Sequence, residues 1–315
     1  MMSHPYKPPN TIPRIIIHGG AGNITHENLT KEAYSAYRSA LLDVLASANE
    51  LLSKQQASAL DTATHAVSLL ENNPLFNSGH GAVYTTAGTI ELEASVMVSR
   101  GYRKRGVGVM KVTRIRNPIL LAKEMLVQGE RDDGGGAHGH CQLEGETCDR
   151  LGKEWGLDTV QPSHFWTKRR WDEHRRGLGL DTEWESYKKG KKCADGVRDA
   201  SKDALSNDND FEVMNDLSWN GHDYLPQGTV GCVVLDHTGT LCVATSTGGI
   251  TNKLPGRIGD TPTLGAGFWA EEWLDHTPLT RQPRQSWFTS TPLSPIVSSC
   301  LPQLGAYLAL SLIHI

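Results

Sequence analysis

The sequence predicts an α+β sandwich, and three observations predict it. Apolar runs of strand length lie near the start and in the last third of the chain, helical periodicity follows the first of them, and a long polar stretch separates the two groups of strands. A fold built from regularly alternating βαβ units would show strands and helices in strict succession, so that class is not expected. The length of 315 residues is enough for one or two domains with a large core.

The first elements are a buried strand and two helices. Residues 14–18 form a short apolar run that ends in the glycines of residues 19–22, which predicts a strand entering a tight turn. Apolar side chains spaced by three and four residues predict an amphipathic helix over 30–54. A second helix is predicted over 59–70, with Asp61 as its N-terminal cap.

The middle of the chain combines a hairpin, a strand and further helices. Alternating apolar residues around Gly88 predict a β-hairpin over 82–97, and the same alternation predicts a strand over 106–112. Pro118 favours the first position of a helix that extends to about residue 127. A further helical stretch is predicted over 142–155.

The last third begins with a polar linker and ends in a segment without predicted elements. Residues 166–227 are rich in charges of both signs and weakly periodic, so we expect a mobile linker. Two strands follow, over 229–235 and 241–247, joined by a turn. Residues 274–315 are rich in proline, serine and threonine without a sustained period, and we expect this tail to be atypical and not folded.

Charge and cysteine content narrow the class of protein. The formal net charge of −4 excludes a generally basic nucleic-acid-binding protein, and no clean apolar stretch is long enough for a membrane-spanning helix. The six cysteines contain no CxxC pair, and the first residues lack the charged-then-apolar pattern of a signal peptide. We therefore expect a cytoplasmic protein with reduced thiols and with no nucleic-acid or membrane partner.

The junction between linker and strand at Gly228 and Thr229 is the sharpest chemical feature. A threonine becomes an effective nucleophile when its own α-amine is free to act as the base, and that amine has a pKa of roughly 7.7–8.0. Cleavage before Thr229 would create this arrangement, and the preceding glycine leaves its carbonyl open to attack by the hydroxyl. Taken alone, an ordinary strand threonine is the commoner explanation of such a pair.

Two neighbouring features are consistent with a site at this junction. A hairpin centred on Thr238 places Thr247 opposite Thr229 on one face of the sheet, unless a bulge shifts the register. The second hydroxyl would then hold the first in position, although a plain threonine pair is the alternative. Arg257 and Asp260 lie in a glycine-rich loop, where they could grip the carboxylate and the ammonium of a free amino acid. A surface ion pair is the commoner role for such residues.

Six segments closely resemble, in order, the plant-type L-asparaginase/isoaspartyl peptidase family of N-terminal-nucleophile hydrolases. They are HGGAG at 18–22, LENNPLFNSGHG at 70–81, ELEASVM at 91–97, GTVGCVVLD at 228–236, ATSTGG at 244–249 and GRIGDTP at 256–262. The resemblance covers residues 12–130 and 226–273. It implies a four-layer αββα sandwich in one domain over 12–273, whose first piece has its core at 12–165 and whose second piece starts at 229–273.

The resemblance also implies a set of site residues. The chain would cut itself between Gly228 and Thr229, with Thr229 as the nucleophile and Thr247 as the residue that orients it. Asn77 would lie near the nucleophile and contact the substrate. The remaining substrate contacts would come from the loop that contains Arg257, Ile258, Gly259 and Asp260.

The implied reaction is hydrolysis of the side-chain amide of L-asparagine or of β-aspartyl dipeptides to give L-aspartate, through an acyl-enzyme and without an organic cofactor. A structural sodium ion would be held by backbone carbonyls of the loop from Leu70 to His80. The mature unit would be a homo-oligomer, a dimer of αβ pairs. Two related activities stay open: a glycosylasparaginase, which is usually secreted, and a threonine-aspartase-like protease, which needs a protein-sized cleft.

The chain departs from the family pattern after residue 273. The family continues with a Thr-Gly-x-Gly-Glu segment that supplies donors to the oxyanion hole, and no such segment follows here. Loss of a single oxyanion donor costs on the order of 10²–10³ in rate. The alternative expectation is therefore a catalytically impaired or truncated relative of the family.

Three other clusters have less specific explanations. His138, His140, Cys141 and Cys148 offer zinc-type ligands, but their spacing matches no closed zinc pattern, and a polar loop is favoured. The glycines at 19–22 could cradle a phosphate, but GxGxxG is absent and packing against the nucleophile strand is favoured. The basic runs at 168–176 and 188–192 are interrupted by acidic residues, which favours a solvated surface over a nucleic-acid site.

Overall fold

The structure is a computed structural model that describes residues 11–20, 29–54, 57–180 and 228–272. Within these ranges the α+β class is confirmed. The strands are β1 Arg14–His18, β2 Leu92–Val98, β3 Gly106–Val112, β4 Gln142–Glu144, β5 Val230–Leu235 and β6 Leu241–Thr247. The helices are α1 Lys31–Leu52, α2 Ala59–Asn72, α3 Pro118–Gln128, α4 Gly145–Glu154 and α5 Lys168–Gly177.

The strands form a single mixed sheet in the order β1-β5-β6-β2-β3-β4. All neighbouring pairs are antiparallel except β3 and β4, which are parallel. The hairpin of β5 and β6 therefore lies inside the sheet, between β1 and β2, although its strands are the last two in the described residues. Its register places Val230 opposite Ser246 and Leu235 opposite Leu241, which confirms the predicted pairing without a one-residue shift.

One face of the sheet packs against helices. The main hydrophobic core joins apolar residues of α1, α2 and α3 to alternate residues of the central strands, such as Val96, Cys232 and Ala244. Helix α1 begins at the predicted position because Thr30 accepts a hydrogen bond from the Ala33 amide, a cap worth about 1 kcal/mol. The helices thus bury half of each central strand and leave the other half for the opposite face.

The opposite face carries the polar residues of the central strands. Glu93 lies opposite Thr247, and Ser95 lies opposite Thr245, so these four side chains share this face. The loop after β6 covers it, and Met97 packs there against Phe268 and Ala270. The described residues contain one sheet, and the four-layer arrangement stays a prediction.

Three predicted elements differ from the structure in the first half of the chain. Strand β1 forms, but it lies at the edge of the sheet, so Ile16 is half exposed and the strand is not buried as predicted. The cap of α2 is Ser58, whose hydroxyl accepts from the amide of Asp61; Asp61 instead lies in the first turn and pairs with Lys123. The predicted hairpin over 82–97 has only its second arm, β2, because residues 82–91 form turns.

Two polar regions contain more structure than predicted. The stretch 142–155 begins with the short strand β4 before α4 starts. Residues 168–177, placed in the linker by the sequence, form helix α5, in which Arg170 and His174 are buried. The Nε of Arg170 donates to the Gly81 carbonyl at 2.8 Å, so part of the basic run faces the protein interior rather than solvent. The rest of the linker from 181 to 227 and the tail from 274 to 315 lie outside the described residues.

In the described ranges, none of the helices combines the length and the apolar character that crossing a membrane requires.

Candidate active site

Thr229 lies at the start of β5 and is partly buried. Its hydroxyl oxygen is 2.8 Å from the hydroxyl oxygen of Thr261, a buried residue of the loop that covers this face of the sheet. The carbonyl of Thr261 in turn accepts a hydrogen bond of 2.7 Å from Ser95, whose hydroxyl is 2.6 Å from that of Thr245. Hydrogen bonds that run through the hydroxyl and the carbonyl of Thr261 to Ser95 and Thr245 therefore fix the position of Thr229 in the intact chain.

The peptide bond before Thr229 packs against the glycines that follow β1. A Cβ on Gly20 would lie 3.6 Å from the Cα of Gly228, so the two backbones are in close contact. This contact agrees with the predicted packing of the glycine-rich turn against the nucleophile strand. His18 pairs with Gly231, and its imidazole lies where a Cβ on Gly231 would clash. Desolvation lowers the pKa of His18, while a hydrogen bond to the backbone of Thr229 opposes that shift.

Thr247 ends β6 and is buried beside Asn77. The Thr247 hydroxyl accepts a hydrogen bond of 3.0 Å from the amide of Gly249. The side chain of Asn77 donates to the Gly249 carbonyl at 2.7 Å and accepts from the Val83 amide at 3.1 Å. The register of the hairpin, extended by one position, places Thr247 opposite Thr229. The structure therefore brings Asn77 and Thr247 together, while the hydroxyl of Thr229 is paired with Thr261.

The predicted substrate loop follows the same strand. Arg257, Ile258 and Asp260 are exposed, and Asp260 directly precedes Thr261, the hydrogen-bond partner of Thr229. The guanidinium of Arg257 lies close to Gly259, since a Cβ built on Gly259 would be 2.9 Å from Arg257 Nη1. A cation and a carboxylate are thus displayed on one loop next to the threonine hydroxyls, an arrangement that can hold the two charged ends of an amino acid.

The backbone packs tightly in and just after the loop from Leu70 to His80. A Cβ on Gly79 would lie 2.3 Å from the Glu71 carbonyl oxygen, and a Cβ on Gly81 would lie 2.1 Å from the Phe76 carbonyl oxygen. Both positions require glycine, since a Cβ would clash with the backbone there. Backbone carbonyls are suitable ligands for hard cations, and the sodium ion at this loop stays a prediction.

The cluster predicted as a polar loop near residue 140 shows no feature of a zinc site. Cys141 is exposed and Cys148 is buried, and burial raises the pKa of Cys148 to about 12. Within the part of the chain that the structure describes, three or more His, Cys, Asp or Glu side chains do not gather anywhere around a common point. Burial likewise raises the pKa of Cys232 to about 12, so this thiol is held in its unreactive form.

Sequence reasoning missed several residues that touch the site. Thr261 lies inside the GRIGDTP segment, but nothing in its spacing indicates that it faces Thr229. Glu93 and Ser95 alternate along β2, and only the strand order places them beside Thr247 and Thr245. The missing signal was the pairing of β2 with β6, which joins residues far apart in the chain.

Comparisons of the sequence with known proteins identify a family. The sequence profile of the asparaginase family matches residues 11–274 of the chain. An isoaspartyl peptidase from Salmonella typhimurium is 36% identical over 256 residues, which is 81% of this chain and 69% of that protein. The isoaspartyl peptidase of Escherichia coli is 35% identical, with 81% and 67% covered. A plant-type L-asparaginase from Pyrococcus furiosus is 32% identical over 258 residues, with 82% and 70% covered.

Proposed function

The chain belongs to the asparaginase family and is a hydrolase, and from this premise we propose that it is a self-processing threonine amidohydrolase acting on L-asparagine or β-aspartyl dipeptides. The observation that carries the proposal is the position of Thr229, which follows a buried Gly228 and is held through its hydroxyl by Thr261. The relatives named isoaspartyl peptidase and plant-type L-asparaginase support the choice of substrates.

The first step is cleavage of the chain by its own hydroxyl group. The Thr229 oxygen attacks the carbonyl carbon of Gly228, the C–N bond breaks, and the nitrogen takes the hydroxyl proton. Water then hydrolyses the resulting ester, which leaves a carboxylate on Gly228 and a free α-amine on Thr229. The absence of a Cβ at both Gly20 and Gly228 keeps the carbonyl accessible in this packed position.

The second step repeats this chemistry on a substrate. The α-amine of Thr229 accepts the proton of its own hydroxyl, and the oxygen attacks the side-chain amide carbon. Ammonia or a peptide amine leaves, and water releases L-aspartate from the acyl-enzyme. Arg257 binds the α-carboxylate and Asp260 binds the α-ammonium, while Thr247 orients the nucleophile and Asn77 contacts the substrate. The sodium ion, when bound by the Leu70–His80 loop, would contribute rigidity beside Asn77 and would not take part in the chemistry.

The alternative is a relative that folds without full catalytic power. It rests on the departure of the sequence from the family pattern after residue 273, where the expected oxyanion donors do not follow. The dimer of αβ pairs and the cytoplasmic location belong to the same proposal as the activity.

Replacement of Thr229 by Ala decides between these functions. Mass spectrometry of the purified parent chain should show two pieces, 1–228 and 229–315, and the Thr229→Ala variant should stay intact. The matched control is Thr238→Ala, an exposed threonine in the turn of the same hairpin, which should still be cut. Ammonia release from L-asparagine should follow the cut.

Each contrary result has a distinct meaning. A parent chain that stays intact and releases no ammonia supports the impaired relative. Fragments that end at the same junction in Thr229→Ala show that the hydroxyl does not perform the cut, and self-processing is then wrong.

A further inference from the structure

Two carboxylates, one just before β2 and one within it, bind the backbone of the loop that carries Arg257. The Gly256 amide donates to Glu91 Oε2 at 2.8 Å, and the Gly259 amide donates to both carboxylate oxygens of Glu93 at 3.1 and 3.2 Å. Glu91 directly precedes β2 and Glu93 lies within it, and both side chains reach the same loop. Arg257 and Ile258, the two residues between these amides, therefore lie between two fixed points.

The Glu93 contact is deeply buried and charged. Glu93 is 1% exposed, and its only cationic neighbour within 4 Å among the described residues is Lys253, whose Nζ is 3.6 Å from Oε1 and whose side chain is fully buried. Lys253 also donates to the Glu91 carbonyl at 2.8 Å. Burial raises the pKa of Glu93 and lowers that of Lys253, so the surroundings oppose both charges and each depends on the other.

Glu93 also lies between the two halves of the candidate site. It is directly opposite Thr247 across β2 and β6. A Cβ on Gly259 would be 3.1 Å from Glu93 Oε2 and 2.9 Å from Arg257 Nη1, so the carboxylate and the guanidinium both lie against this glycine. The stem of Lys253 runs against Gly249, which bonds to Asn77 and Thr247. The buried ion pair of Glu93 and Lys253 thus contacts Gly249, which bonds to Thr247, and Gly259, which lies in the loop that carries Arg257.

We propose that Glu93, held by Lys253, is a positioning residue that sets the placement of the Arg257 guanidinium through the Gly259 amide, and so determines how well the enzyme binds substrates with a free α-carboxylate. The inference rests on the proposed function for the role of Arg257. A buried carboxylate whose two oxygens share the Gly259 N–H is a rigid support, because withdrawing it leaves that N–H without its acceptor and Lys253 without its counter-charge. Without Glu93, the loop would keep the contact at Gly256 and lose the one at Gly259.

Glu93→Asp tests the proposal, because it keeps the charge beside Lys253 but withdraws the acceptor from Gly259 by one methylene. The Michaelis constant for a β-aspartyl dipeptide should rise at least tenfold, with kcat changed by less than about threefold. For the same dipeptide with its aspartyl α-carboxylate converted to an amide, both constants should stay close to those of the parent. In an Arg257→Ala background, Glu93→Asp should change the Michaelis constant by less than twofold. Glu144→Asp, in an exposed ion pair with Lys111, is the matched control.

Hydrogen exchange provides a readout that does not depend on activity. Amides 256–259 should exchange at least tenfold faster in Glu93→Asp than in the parent, while the core amides of β5 should not change. Unchanged exchange at 256–259 would overturn the positioning role. So would equal losses on both dipeptides, because a general structural defect does not distinguish the α-carboxylate. If the parent hydrolyses neither substrate, the proposed function fails, and the exchange result alone decides whether Glu93 holds the loop.

Discussion

Glu71 is a carboxylic acid that the fold encloses completely. Its Oε1 accepts from the Ser246 hydroxyl at 2.7 Å and from the Ile119 amide at 2.9 Å, while Oε2 is buried without a hydrogen-bond partner among the described residues. Burial raises the pKa of Glu71 from 4.5 to about 8, although its hydrogen bonds oppose the shift. The folded chain therefore holds this residue uncharged at neutral pH. Its hydrogen-bond partner Ser246 directly precedes Thr247 in β6.

The raised pKa of Glu71 predicts a pH-dependent stability. The folded state binds the proton more tightly than the unfolded state, so the stabilisation is complete below about pH 4.5 and is lost as the pH rises toward 8. The loss has a slope of up to about 1.4 kcal/mol per pH unit. Glu71→Gln keeps the acceptor and removes this loss, so its Tm relative to the parent should be higher at pH 8 than at pH 5, by several degrees.

Thermal unfolding at the two pH values measures this difference. The exposed Glu146→Gln variant controls for the loss of one negative charge. If the Tm difference between Glu71→Gln and the parent is the same at pH 5 and pH 8, Glu71 is not held uncharged in the folded chain.

At the scale of elements, the joint between β6 and the Leu70–His80 loop allows no extra atom. A Cβ on Gly248 would lie 2.7 Å from both the Ala82 Cβ and the Asn77 Oδ1, and 2.9 Å from the Val83 nitrogen. The Gly248 amide donates to the Asn77 carbonyl at 3.0 Å, so the glycine is part of the contact that seats Asn77. The end of β6 and the Leu70–His80 loop are therefore rigidly connected.

Gly248→Ala should disrupt the contact between the end of β6 and the Leu70–His80 loop. The added methyl group must displace Asn77, and overpacking of this kind costs about 1–3 kcal/mol. We expect a lower Tm, slower cleavage at Gly228 and a weakened effect of Asn77→Ala in the same background. Gly139→Ala is the matched control, because a Cβ at Gly139 has no heavy atom within 4 Å among the described residues. A Gly248→Ala chain that unfolds and cleaves like the parent would show that the joint is not rigid.

Local pattern predicted most elements but not their partners. Helices α1 and α3 and strands β3, β5 and β6 follow from periodicity and from Pro118, since these signals lie within each segment. Helix α5 was not predicted, because its many charged residues are typical of a solvent-exposed linker. In the structure, Arg170 and Glu173 instead pair with each other at 2.8 Å inside the protein. Thr261 and Glu93 were not predicted, because only the tertiary order β6-β2 and the return of the covering loop bring them to Thr229 and Thr247. Motif resemblance, in contrast, indicated both Asn77 and Thr247, whose side chains the structure places on the same residue, Gly249.

At the scale of the whole molecule, the proposed cut lies directly before β5, an interior strand of the sheet. Strand β5 pairs with β1 on one side and β6 pairs with β2 on the other. Val230, Cys232 and Val234 are essentially buried in the main core. A chain severed before Thr229 would therefore keep its second piece between two strands of the first.

The two proposed pieces should consequently behave as one particle. Under native conditions they should elute together in size-exclusion chromatography, at the same volume as the uncut Thr229→Ala chain, because separation would expose both flanks of β5 and β6. They should separate only in concentrated guanidinium chloride. Elution of the piece 229–315 by itself in native buffer would contradict the central position of the hairpin.

The pairing of β1 with β5 also sets an order of events during translation. Ile16 bonds to a partner, Val233, that leaves the ribosome some two hundred codons later. At roughly 5–20 residues per second, translation keeps the opening strand waiting for about 10–40 s. Thr261, whose hydroxyl is paired with that of Thr229, is translated later still. In the proposed mechanism, cleavage before Thr229 therefore follows the translation of Thr261, and a cleaved chain would indicate that β1 and β5 have paired.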